Sequence, residues 1–383
     1  MEKLKVITVF GTRPEAIKMA PLVKELEKYN QIESKVCVTA QHRQMLDQVL
    51  DIFKIEPYYD LDVMKDKQTL SDITIRSLEG LNQVFEQEKP NIILVHGDTT
   101  TTFATSLAAF YKQISVGHIE AGLRTFDKYF PYPEEINRKL TGVLSDLHFA
   151  PTKTNLKNLI NEGVSKDKIF VTGNTIIDAL KITVSKNYIF NDSKLQKIDF
   201  NKKRIITVTA HRRENLGEPL RNICLAIKSI IDKYEDVEIV YPVHLNPIVQ
   251  DTTNEILGNN NRIHLIKPVD VREMHNLMER SYLILTDSGG LQEEAPSLGK
   301  PVIVLRNETE RPEAVERGTV KLAGTDKDKI YSNVSVLLDD INEYKKMAKA
   351  INPYGDGMAS ERIVKGLLYS FKLSNEKPGI FEN

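Results

Sequence analysis

The sequence is short of the features that mark several large classes of protein. Its only cysteines, Cys37 and Cys224, lie on the apolar runs KVCVTA and RNICLAIKSI and read as buried thiols, which leaves no zinc cluster or redox pair to expect. No stretch approaches the roughly 18 apolar residues of a membrane span. The opening MEKLKVITVF holds too short an apolar run for a secretory leader, so a cytoplasmic protein is expected. A net charge of −1 over 383 residues, with pI about 6.7, gives no general basic field for nucleic acid or an acidic membrane. Any anion must be met by local groups. The first strand-turn-helix, VFGTRPEAIKMAPLV, has a single glycine, so neither the dinucleotide fingerprint nor a P-loop accounts for it.

What the chain does have is alternation. Short β-branched runs alternate with helical patterns: KVITVF, KVCVTA, NIILVHG, SVGHIEA and IFVTG, then RIITVTA, VEIVYPV, RIHLI, YLILTD and PVIVL. Such an order predicts parallel sheets with helices on both faces. Between the two series, KITVSKNYIFNDSKLQKIDFNKK is lysine-rich and lacks glycine or a clear period, so a linker is expected at 181–203. An N-terminal domain at 1–180, a second at 204–355 and a C-terminal helix and tail at 356–383, folded back on the first domain, complete the expectation. The fold class expected is α/β, two Rossmann-like doubly wound domains facing across a cleft. Ligands of open parallel sheets bind beyond the carboxyl ends of the strands, so the polar loops there belong together.

Those loops carry the chemistry. Arg13 and Lys18 sit at a helix start that Pro14 suits and would serve an anion there; the alternative is an Arg–Glu surface pair beside an ordinary turn. In ILTDSGGLQEEAPSLGKP, the backbone of Ser288, Gly289 and Gly290 can approach a diphosphate, and Glu294 can accept two ribose hydroxyls. Asp98 in LVHGDTTTT stands where an aspartate also caps a helix. Glu120 ends an apolar run, bracketed by His118 and Arg124, while Glu134 and Glu135 fall in a helical first turn after Pro133. His211 follows a strand and leads a polar run from Arg212 to Asn215. His244 and Arg311 occupy similar loops with weaker cases.

Taken together, FGTRPEAIKMAP, AQHRQMLDQVL, VHGDTTTT, HIEAGLRT, PEEINR, GNTIIDAL, AHRRENLG, YPVHLNP, TDSGGLQEEAPSLGKP and TERPEAV closely resemble the non-hydrolysing bacterial UDP-N-acetylglucosamine 2-epimerases. The resemblance runs in consistent order from about Lys3 into the 370s. It implies two domains of the glycosyltransferase-B type, a homodimer, and reversible conversion of UDP-N-acetylglucosamine to UDP-N-acetylmannosamine for cell-surface polysaccharide synthesis, without cofactor or metal. The implied route is elimination of UDP to 2-acetamidoglucal and re-addition. Asp98, Glu120 and Glu134 would supply the acid–base set and His211 would assist the leaving phosphate. Arg13, Lys18, the Ser288–Gly290 backbone and Arg311 would face the diphosphate, and Glu294 the ribose. Met274 stands where relatives often place a Phe near uracil, so a thioether would replace the stacking ring. The resemblance also implies an activating second UDP-N-acetylglucosamine, matched here by Gln41, Gln44, Arg212 and His244, with Lys67 in place of an arginine whose bidentate fork it lacks. A hydrolysing epimerase releasing N-acetylmannosamine, a glycosyltransferase of the same fold and a non-catalytic UDP-sugar sensor are the alternatives.

Overall fold

The apolar runs become strands in the computed structural model, which describes residues 3–40, 43–65 and 67–382. Met1–Ile182 together with Tyr354–Asn383 form one unit, and Thr183–Pro353 form the other. The first unit holds β1 (Leu4–Phe10), β2 (Ile32–Val38), β3 (Tyr59–Asp60), β4 (Ile92–His96), β5 (Ser115–Ile119), β6 (Leu147–Ala150) and β7 (Ile169–Val171). They pair in the order β3-β2-β1-β4-β5-β6-β7, every pair parallel. The second unit holds β8 (Arg204–Thr209), β9 (Val237–Pro242), β10 (Ile263–Ile266), β11 (Leu283–Thr286), β12 (Val302–Val304) and β13 (Val320–Leu322), in the order β10-β9-β8-β11-β12-β13, again all parallel.

Parallel strands are covered on both faces, which is why β4 and β11 read as unbroken apolar runs rather than alternating ones. In the first unit one face is covered by helices Arg13–Leu26, Arg43–Phe53 and Ala359–Ser370, the last burying Ile363, Val364 and Leu367 beside Phe149, Phe170 and Met19. Leu81, Phe85 and Ala108 close the opposite face. In the second unit the helix Glu218–Lys233 buries Ile223, Ile227 and Ile230 on one face.

The segment read as a linker is built into the second unit. Phe190, Leu195 and Ile198 are buried with Ile205, Val240, Ile266 and Leu277 and cover that sheet's other face. Their irregular spacing matches neither a helical nor a strand period, so the sequence hid a packing segment in a lysine-rich stretch. Cys37 and Cys224 are both free and buried, and burial pushes each thiol up to about 12. Among the described residues no helix is long and apolar enough to cross a membrane.

Candidate active site

In the first unit the loops after β1, β4, β5 and β7 emerge at one edge of the sheet. Glu120 follows β5 with φ +63°, a left-handed conformation that costs a non-glycine residue roughly 1–3 kcal/mol and persists only where its surroundings hold it. They do so here. Lys18 forms an ion pair with the Glu120 carboxylate, and Asn174, just past β7, donates to Oε1 at 2.8 Å. His96 Nε2 stands 3.7 Å from Oε2. Burial lowers the His96 pKa to about 4, so the ring is neutral at pH 7 and the charge pairing with Glu120 is that of Lys18. His118 bonds the Gly97 carbonyl at 2.8 Å rather than a carboxylate. Arg124 is taken by Glu162, with Nε 2.7 Å from Oε1.

Asp98 follows β4, but Thr99 is the helix cap, its hydroxyl accepting from the Thr102 N–H at 3.1 Å. The capping role open to Asp98 in the sequence is therefore filled by its neighbour. The Asp98 carboxylate instead receives the Arg138 guanidinium, and its carbonyl accepts from the Asn137 amide at 3.0 Å. Of the paired glutamates, Glu135 is fully buried and accepts the Thr125 and Phe126 N–H groups, both at 3.1 Å. Glu134, one residue earlier, is only half-buried at the start of helix Glu134–Leu144. Arg13 opens its helix, half-buried. Glu15, the acid of the alternative surface pair, is buried and ties two loops together: it accepts from the Thr12 N–H at 2.7 Å and from the hydroxyls of Thr99 (2.6 Å) and Thr102 (3.0 Å). Its position three residues after Thr12, the signature of a capping box, was the signal available.

In the second unit His211 and Arg212 follow β8, and Asp287 follows β11 beside it. The Asp287 carboxylate accepts the backbone N–H of both, each at 2.8 Å, and Arg212 Nε donates to the Asp287 carbonyl at 2.9 Å. His211 stacks on His244, centroids 5.1 Å apart and planes 4° apart. Ser288 stands at the N-cap of helix Gly289–Ser297 without a side-chain capping bond, and the helix's first N–H groups have no intrahelical acceptor, a geometry that favours negative charge. A Cβ at Gly290 would come 3.1 Å from Glu294 Oε1, so glycine there keeps the carboxylate close to that helix start. Glu294 Oε2 lies 3.2 Å from His275 Nε2, and His275 Nδ1 is 2.6 Å from the Thr183 hydroxyl. Arg311 pairs with the buried Glu293. Met274 packs, half-buried, against the cluster around Phe190.

Of the residues matched to an activating site, Gln41 lies outside the described residues, and Gln44 and Lys67 are exposed in the first unit, Lys67 with φ +56°. Arg212 and His244 belong to the second unit, where Arg212 Nη1 stands 3.8 Å from Glu310. Among the described residues no group of three or more His, Cys, Asp or Glu side chains is arranged to hold a metal ion.

The profile of the family described as UDP-N-acetylglucosamine 2-epimerase matches residues 24–368. UDP-N-acetylglucosamine 2-epimerase of Bacillus subtilis is 59% identical over 381 residues, covering 100% of this chain and 99% of that one. Among solved structures, the S. aureus MnaA–UDP complex is 54% identical with a TM-score of 0.87, covering 100% of both chains. The Neisseria meningitidis UDP-GlcNAc 2-epimerase bound to UDP-GlcNAc is 53% identical with a TM-score of 0.85, covering 95% of this chain and 99% of that one.

Proposed function

The chain belongs to the UDP-N-acetylglucosamine 2-epimerase family and is an isomerase of its non-hydrolysing type, and we propose that it inverts C2 of UDP-N-acetylglucosamine through bound 2-acetamidoglucal. A carboxylate removes the C2 proton while the C1–O bond breaks and UDP leaves with its electron pair. A second carboxylic acid then protonates C2 from the opposite face as UDP re-adds at C1. The observation that carries this reading is the set at the carboxyl edge of the first sheet: Glu120 charge-paired by Lys18, Asp98 held by Arg138, and Glu134 in the next helix's first turn. Paired or half-buried carboxylates of this kind suit proton transfer on a sugar carbon.

The nucleotide groups follow the same reading. The helix start at Ser288–Gly290 holds the diphosphate, Glu294 the ribose and Met274 lies near uracil, while His211 donates to the departing phosphate. Arg13, Lys18 and Arg311 are the cations offered to the diphosphate. For Lys18 and Arg311 this requires exchange from the carboxylates they hold in this structure. Substrate also acts as activator through Gln41, Gln44, Lys67, Arg212 and His244. The protein works in the cytoplasm as a homodimer, and its product feeds cell-surface polysaccharide. Exposed Phe110 and Tyr111, at the end of helix Thr100–Tyr111, offer apolar surface for a second copy. Purified protein incubated with UDP-N-acetylglucosamine in D₂O should give, by NMR, both epimers with deuterium at C2 and no free N-acetylmannosamine. An epimer that keeps its original C2 hydrogen would rule the elimination out.

A further inference from the structure

Asp287 is fully buried, and the proposed reaction assigns it nothing. Its Oδ2 accepts three hydrogen bonds from the loop after β8: the N–H of His211 and of Arg212, and the side-chain amide of Asn215 at 3.0 Å. Its other oxygen, Oδ1, is buried without a hydrogen-bond partner among the described residues and faces His211 Nδ1 at 3.7 Å. A buried carboxylate oxygen left empty carries a desolvation penalty, and an imidazole N–H is the donor poised to relieve it. The ring is also held by His244, stacked nearly parallel on it, which resists tilting.

We infer that Asp287 is a positioning residue for His211: Oδ1 accepts from Nδ1–H, fixing the neutral ring in that tautomer and leaving Nε2 as the nitrogen that meets a ligand. Three other influences act on the ring's charge. Burial, His244 and Arg212 each lower its proton affinity, while Asp287 raises it. The carboxylate thus supports the protonated ring that would donate from Nε2 to an anion. The kinetic consequence rests on the proposed role of His211 at the departing phosphate; the tautomer does not.

The test uses the full chain labelled with ¹⁵N-histidine, with the His211 signals identified by their loss in His211→Gln. In the wild type the neutral ring should carry its proton on Nδ1. Asp287→Asn keeps an acceptor for the loop N–H groups but turns an amide donor toward Nδ1. The ring should then switch to Nε2–H, its titration midpoint should fall, and turnover of UDP-N-acetylglucosamine should drop roughly 100-fold or more with KM near wild type. A wild-type ring protonated on Nε2 overturns the inference without need of any variant. So does an Asp287→Asn protein whose His211 tautomer and titration match the wild type. A wild-type Nδ1–H ring in a protein without epimerase activity would uphold the positioning and remove the proposed function.

Discussion

Glu120 combines a strained backbone with a carboxylate held by Lys18 and Asn174, whereas Asp98 and Glu134 have ordinary surroundings that other residues could also satisfy. That difference makes the latter two the cleaner test of proton chemistry. Since Thr99 caps the helix and Glu135 is the buried latch, Asp98→Asn and Glu134→Gln should leave the unfolding midpoint close to wild type. Turnover should still fall by about two to four orders of magnitude, the usual scale of general acid–base catalysis, with UDP affinity by calorimetry little changed. Near-normal turnover in both would return these carboxylates to structural roles. At this scale the sequence told which polar residues end the strands and not which partners they take. Lys18, read as a cation for a phosphate, also holds Glu120, and Arg124, which brackets Glu120 in the sequence, holds Glu162. Long side chains choose among several acceptors by three-dimensional distance, which spacing along a chain does not encode. Asp287 and His96 went unread for the same reason, each being one polar residue at the end of an apolar run.

Elements were more legible than contacts. The strands with β-branched runs are plain in the sequence, but β3, β6 and β13 are not, since YD, LHFA and VKL hold one β-branched residue between them where the equally short β7 and β12 read IFV and VIV. LHFA and VKL hold too few apolar residues for any period, and neighbouring strands rather than propensity make them strands. The β1-turn-helix unit shows what the lone glycine is for. A Cβ at Gly11 would sit 2.0 Å from Thr39 Oγ1 and 2.7 Å from Thr101 Oγ1, two hydroxyls 3.0 Å apart that link the ends of adjacent chain segments. Threonine is stiff at χ1, so neither can swing clear without giving up that bond. Gly11→Ala should therefore destabilise the first unit by about 1–3 kcal/mol, read as a lower urea midpoint. An unchanged midpoint would mean the turn relaxes freely and the glycine serves only to let a ligand approach.

For the whole molecule the sharpest expectation is acid sensitivity concentrated in the first unit. His96, His118 and His148 are all buried there, and burial lowers their pKa values to about 4, about 3 and about 4. A histidine whose folded pKa lies below its unfolded value near 6.5 binds its proton more readily unfolded. Its stabilising contribution is whole above pH 6.5 and is lost as pH falls toward the folded pKa. Each such group removes up to about 1.4 kcal/mol per pH unit in that window, so three together approach about 4 kcal/mol per unit near pH 5. Glu15 and Asp178 act in the opposite sense, burial raising their pKa values, so protonation relieves their buried charge and softens the slope toward the acid end. Hydrogen exchange of β4, β5 and β6, followed by mass spectrometry from pH 7 to 5, should show opening free energies that fall with this slope, and more steeply than those of β8 and β11. His118→Gln, whatever it does to stability at pH 7, should remove about one proton's share of the slope. A first unit whose opening free energy stays flat between pH 6.5 and 5 would mean that these rings reach water before the strands separate, and that their burial does not govern the acid limit of the fold.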